Sequence, residues 1–205
     1  MPTGTTGTDS FAATSSDGTS RLVTVTITGR NDIASLGSDA GFITETDLSQ
    51  AIGGSLTLTD PDAVAASVVA QSDTLGTYGR FSIDASGTWT YATAGALDAL
   101  AAGQVVSDVF NVATTDGGSA TVTITLTGSN DAPTVASPIA GQRATQDSAF
   151  RFTLPAGSFA DVDSGDSLGY SATGLPAWLS FDATTRTFSG TPANADVGRV
   201  SITVT

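Results

Sequence analysis

The chain has 205 residues, enough for one large domain or two small ones, and its 40% hydrophobic content rules out a disordered acidic tail. Nineteen Asp and one Glu face seven Arg and no Lys, for a net charge of −13. No basic patch exists to neutralise phosphates, so the surface repels nucleic acid and anionic membrane.

The missing residue types narrow the chemistry further. Without His or Cys there is no Ser-His-Asp or Cys-His catalysis, no conventional zinc site and no disulfide. Without Lys there is no internal isopeptide crosslink. Calcium, a hard cation that takes Asp, Asn and backbone oxygens, is the metal this composition serves if the Asp residues cluster. If they do not, the acidic surface is a solubility device. No stretch approaches the ~20 apolar residues of a membrane span. The opening MPTGTTGTDS lacks the charged and apolar regions of a signal peptide, so an export signal is expected elsewhere in a longer chain.

In chain order, residues 9–32 (DSFAATSSDGTSRLVTVTITGRND) read as a short strand, a turn and a long period-2 strand. GSLTLTDPD (54–62) alternates Leu56 and Leu58 before an acidic turn. YGRFSIDASGTWTY (78–91) is a hairpin in which Phe81 and Ile83 run into the turn and Trp89 and Tyr91 run out; Trp89 is a core anchor. AGALDALAAGQ (94–104), with Leu97 and Leu100 three apart, predicts one or two helical turns crossing between strands. Residues 108–131 (DVFNVATTDGGSATVTITLTGSND) repeat residues 9–32. An offset of 99 residues superposes Gly29 on Gly128, Asn31 on Asn130 and Asp32 on Asp131. In this second copy Val122, Ile124 and Leu126 point one way and the intervening Thr residues the other.

A period near 100 predicts an all-β array of sandwich domains. Residues 1–32 are then the tail of one domain, 33–131 a whole domain, and 132–205 a third. The third opens with Phe150, Phe152 and Leu154 in alternation and the acidic loop ADVDSGD. It closes on a strand through Val200, Ile202 and Val204, and is expected to lack its last strand.

TYGRFSIDASGTWTY followed by LDALAAGQVVSDVFNVATTDGGSATVTITLTGSNDAP resembles the VCBS repeat of large bacterial surface proteins. PAWLSFDATTRTFSGTPANADVG resembles the dystroglycan-type cadherin-like (CADG) module. These resemblances span nearly the whole chain. They imply tandem immunoglobulin/cadherin-like sandwiches in a linear array, from a secreted or surface-displayed bacterial adhesin or biofilm protein, often of the RTX type. Neighbouring domains of the same long chain are then the partners, and calcium between domains stiffens the array.

The acidic elements are the linkers, with Asn31–Asp32 and Asn130–Asp131, and the loops that follow, with Asp60 and Asp62, and Asp161, Asp163 and Asp166. Asp-x-Asp places two carboxylates on one side of the backbone, which is unfavourable unless a cation or donors compensate. Calcium takes ~6–8 oxygens, more than one such loop supplies. Cadherins resemble this arrangement, and the likeness assigns Asn31, Asp32, Asp60 and Asp62 to one junction. It assigns Glu45, Asn130, Asp131, Asp161 and Asp163 to the next, with Asp116 or Asp166 as a further ligand. The linkers lack the full cadherin motif, and Gln146–Asp147 stands where the third domain should carry its Glu. Asp17, Asp84, Asp116 and Asp182, each beside Gly, Ser or Thr, read as turn residues.

A non-enzymatic adhesin segment is the leading functional reading. The alternatives are a polysaccharide-binding module, for which Trp178, Tyr170 and Phe181 are the available aromatics, and a strand-donating subunit of a surface filament.

Overall fold

A computed structural model of the protein describes residues 3–62 and 66–205. The first two residues of MPTGTTGTDS and the three that follow TDPD lie outside the described residues. The described residues form strands joined by turns and irregular loops, with one short 3-10 turn at Asn194–Asp196, and no helix among them is long and apolar enough to cross a membrane. The chain divides into two units, Met1–Leu97 with Gly103–Gly128, and Asp98–Ala102 with Ser129–Thr205.

The first unit begins with a hairpin of β1 (Thr6–Thr14) and β2 (Ser20–Thr28). There follow β3 (Ser35–Leu36), β4 (Asp39–Thr44), β5 (Ala51–Ser55), β6 (Leu58–Thr59), β7 (Gln71–Leu75), β8 (Gly79–Ile83), β9 (Thr88–Thr93), β10 (Val105–Ala113) and β11 (Ser119–Thr127). Two sheets carry the fold, ordered β5-β9-β8-β7 and β10-β11-β4, with β11 running parallel to β4. The alternation predicted for β8, β9 and β11 is present: Phe81, Ile83, Trp89, Tyr91, Val122, Ile124 and Leu126 are all buried. Phe81 of one sheet stacks on Phe110 of the other, with ring centroids 4.5 Å apart, so these aromatics join the two layers. The indole N–H of Trp89 donates to Asp39 at 2.9 Å, which gives the buried ring its polar partner.

Residues 94–104 contain no helix, contrary to their Leu spacing. Leu97 sits at φ 55° and Gly103 at φ 75°, left-handed conformations that end any right-handed turn. Leu100 is nevertheless buried, so the apolar pattern marks a crossover held down by its leucine.

The second unit contains β12 (Thr134–Val135), β13 (Phe150–Thr153), β14 (Phe159–Ala160), β15 (Ala172–Thr173), β16 (Leu179–Asp182), β17 (Thr187–Gly190) and β18 (Thr203–Val204). The order β13-β17-β16 forms its main sheet. Leu154, Leu179 and Phe188 are its buried centre, with Phe150, Phe152, Trp178, Phe181 and Ile202 packed around them. Gly190 is required because a side chain there would strike the Trp178 carbonyl. The closing strand is shorter than predicted: Thr203–Val204 pairs with β15, while Val200 is exposed.

Candidate metal centre

The two Asn-Asp linkers are held by the same hydrogen-bonded clasp. In the first unit the loop after β6 turns because Asp60 accepts the Asp62 amide at 2.8 Å, a side chain closing on its own backbone two residues later. That turn brings the buried Asp62 under the linker, where its Oδ2 accepts the Asp32 amide at 2.9 Å. Asn31 then donates its side-chain amide to the Asp32 carbonyl at 2.9 Å. In the second unit the loop after β14 does the same. Asp161 accepts the Asp163 amide at 3.0 Å, Asp163 Oδ2 accepts the Asp131 amide at 2.9 Å, and Asn130 donates to the Asp131 carbonyl at 2.7 Å. Each linker Asp is thus brought to the second Asp of the following Asp-x-Asp.

The clasps differ at their first Asp and in the neighbours they gather. Asp60 also accepts the Ala66 amide at 2.6 Å through Oδ2, so both of its oxygens are engaged by backbone. In the second clasp Asp166 joins, and one carboxylate oxygen from each of Asp161, Asp163 and Asp166 lies within 4.8 Å of the others. Asp163 is only 4% exposed, and its Oδ1 is buried with no hydrogen-bond partner. A buried carboxylate oxygen without a donor is costly, and three like charges this close add to the cost. A hard cation satisfies both demands, and the donor set, all oxygen, fits calcium.

Asp98 was not among the sequence candidates. Its carboxylate lies within 4.8 Å of that of Asp131, and its Oδ1 is buried without a hydrogen-bond partner. No Asp-x-Asp spacing marks it. The available signal was that it is the sole charged residue of 94–104, set between two leucines.

Glu45, in the first unit, is buried just after β4, and its amide donates to the Thr127 carbonyl at 2.8 Å. Asp116 accepts the Ala34 amide at 2.6 Å and the Thr114 hydroxyl, which ties the β10–β11 turn to the segment just before β3. The Thr114 hydroxyl, then the Ala34 amide, hold its carboxyl below the usual range. Asp17, Asp84 and Asp182 occupy turns as predicted. The Ser15 hydroxyl beside Asp17 brings that group down to about 2. Gln146 and Asp147 are exposed and bonded to each other at 2.9 Å.

The three aromatics considered for glycan contact are half-buried in packing. Trp178 meets Phe150 edge-on, Tyr170 meets Phe159, and Phe181 lies 4.5 Å from Phe188.

Residues 31–128 match the family model of the bacterial cadherin-like domain, and residues 132–205 that of the "Putative Ig domain". No curated protein matches the chain. Among solved structures, the human desmocollin-1 ectodomain is similar at 14% identity, over 91% of this chain and 43% of that one, with a TM-score of 0.40. Two endo-fucoidan hydrolases of glycoside hydrolase family 107 are also similar. One has 18% identity over 98% of this chain and 33% of its own, TM-score 0.32; the other 22% over 81% and 30%, TM-score 0.30. The chain therefore spans less than half the length of each of these proteins. Residues 31–128 form a bacterial cadherin-like region, followed in tandem by an Ig-like region at 132–205.

Proposed function

We propose that the chain is a non-enzymatic structural segment of a large extracellular bacterial adhesin that supports cell adhesion or biofilm formation, its successive sandwiches stiffened by calcium. The observation that carries this reading is the acidic triad of Asp161, Asp163 and Asp166 with the orphaned, buried Asp163 Oδ1. When bound, calcium supplies the charge that these carboxylates lack. Asp161, Asp163 and Asp166 hold it directly, and the Asp163–Asp131 bond ties the ion's loop to the linker. Asn31, Asp32, Asp60 and Asp62 form the equivalent clasp around the first linker, and Glu45 is a further buried carboxylate. The net charge of −13 and the absence of Lys favour divalent cations over anionic polymers as ligands.

Calcium then raises the melting temperature of the intact chain and lengthens the particle in small-angle scattering. Asp131→Ala combined with Asp163→Ala removes both responses. Identical melting and scattering curves in calcium and in chelator would refute the reading.

A further inference from the structure

The β1–β2 and β10–β11 hairpins have one register, displaced by 99 residues. Asp9 pairs with Val25 as Asp108 pairs with Ile124, and Phe11 pairs with Val23 as Phe110 pairs with Val122. The two present corresponding faces: Asp9, Phe11, Val23, Val25 and Ile27 in the first; Asp108, Phe110, Val122, Ile124 and Leu126 in the second. In β10–β11 this face is buried in the core of its sandwich. In β1–β2 it is open, with Phe11 58%, Val25 47% and Ile27 55% exposed.

Asp9 identifies what should cover it. A carboxylate in the middle of an apolar face is unfavourable unless donors meet it on burial. Asp108 shows which donors those are. It accepts the Thr77 amide at 2.7 Å, the Tyr78 amide at 3.0 Å and the Tyr91 hydroxyl at 2.8 Å. Gly76 makes room, since a side chain there would overlap the Asp108 carboxylate and the Phe110 ring. Asp9, by contrast, accepts the amide of its neighbour Ser10. A solvated strand would gain nothing from keeping the Asp-x-Phe pair opposite Val-x-Val.

We propose that the open face of β1–β2 is a docking surface for a second cadherin-like unit of the same make as residues 33–104. The hairpin seats on that unit as β10–β11 seats on its own. The partner is defined by chemistry: a Gly-Thr-Tyr turn offering two consecutive amides, a buried tyrosine hydroxyl for Asp9, and a phenyl ring on which Phe11 stacks as Phe110 does on Phe81. An apolar cleft of about 860 Å³ in the second unit is lined by Phe150, Phe152, Trp178 and Phe188 among others and by no tyrosine, so it offers Asp9 no matching hydroxyl. Gly7 and Ala13 stand where β10–β11 has Val106 and Val112, so the partner's core is fuller at those positions, while Arg21 in place of Ala120 needs more room there. This inference is independent of calcium.

The test is a fusion in which a copy of residues 33–104 is placed directly before Thr6 of the chain, compared with the unmodified chain in chelator. Hydrogen exchange at Asp9–Phe11 and Val23–Ile27 should slow by about a hundredfold or more in the fusion, towards the rates of their β10–β11 counterparts. Calorimetry should show one additional cooperative transition. Asp9→Ala and Phe11→Ala each cancel the gain, while Thr8→Ala on the opposite face leaves it. Unchanged exchange in the fusion overturns the proposal. So does concentration-dependent self-association of the unmodified chain that protects the hairpin and is lost in Phe11→Asp, which would assign the face to a different surface of a second copy.

Discussion

Replacing Asp163 by Asn should change stability in opposite directions with and without calcium. One carboxylate oxygen from each of Asp161, Asp163 and Asp166 lies within 4.8 Å of the others. Two like charges at that distance repel by roughly 3 kcal/mol at an effective dielectric of about 20. Asp166 is exposed and Asp161 half-buried, so water and salt reduce this to on the order of 1 kcal/mol. The new amide keeps an oxygen for the Asp131 N–H, now at 2.9 Å, and replaces the orphaned Oδ1 with a donor facing two carboxylates. In chelator, Asp163→Asn therefore stabilises the protein by about 1 kcal/mol. Calcium at a hundred times its dissociation constant stabilises the wild type by about 2.7 kcal/mol, most of which the variant forgoes. In saturating calcium the variant is then roughly 2 kcal/mol less stable than the wild type. Urea unfolding under both conditions measures the two differences. An equal loss of stability in chelator and in calcium would mean that Asp163 is a structural acceptor alone, and the argument from its unpartnered oxygen would fail.

Other outcomes follow from individual contacts. Tyr91→Phe removes a buried hydroxyl that donates to Asp108 at 2.8 Å and should cost about 1.5–3 kcal/mol, equally in calcium and chelator. Asp60→Ala removes the acceptor of the Asp62 and Ala66 amides, so urea unfolding in chelator should show a loss of about 1–3 kcal/mol. Asp17, Asp84, Asp116 and Asp182 are all held below the ordinary carboxylate value. Hydroxyls of Ser15, Ser86 and Thr114 are the leading causes for the first three, and the Thr185 amide for the last. Their folded values lie below the unfolded value of about 3.9, so the stability they contribute is complete above that pH. It is lost as pH falls through the folded values towards about 2. Thermal melts in chelator across that window should show the decline, and Asp116→Asn should flatten part of it; a level profile would contradict the turn assignments.

Much of the fold is legible in the sequence because strand periodicity reports burial directly. Phe81, Ile83, Trp89 and Tyr91 alternate around DASG, and they are buried as that pattern requires. The crossover at 94–104 misleads because two leucines three apart fit a helix and equally a pair of anchors on an irregular loop. Only the left-handed backbone at Leu97 separates the two. The two Asn-Asp segments were legible through the repeat, and the clasps through Asp-x-Asp spacing, since a carboxylate closing on the amide two residues later is a local device. What else surrounds a clasp is not local. Asp60 takes the Ala66 amide on its second oxygen, whereas the equivalent Asp161 lies beside Asp163 and Asp166, although both loops present the same two-residue spacing. Asp98 is hidden for the same reason, because its neighbour Asp131 is 33 positions away in the chain.

The most direct measurement is an isothermal calcium titration of the intact chain, repeated with Asp161→Asn and Asp163→Asn. Saturable binding by the wild type is expected within the ~0.1–1 mM range of extracellular calcium modules, with weaker binding in both variants. Absence of binding heat up to about 10 mM calcium, well above that range, would contradict it, as would binding that both variants retain unchanged.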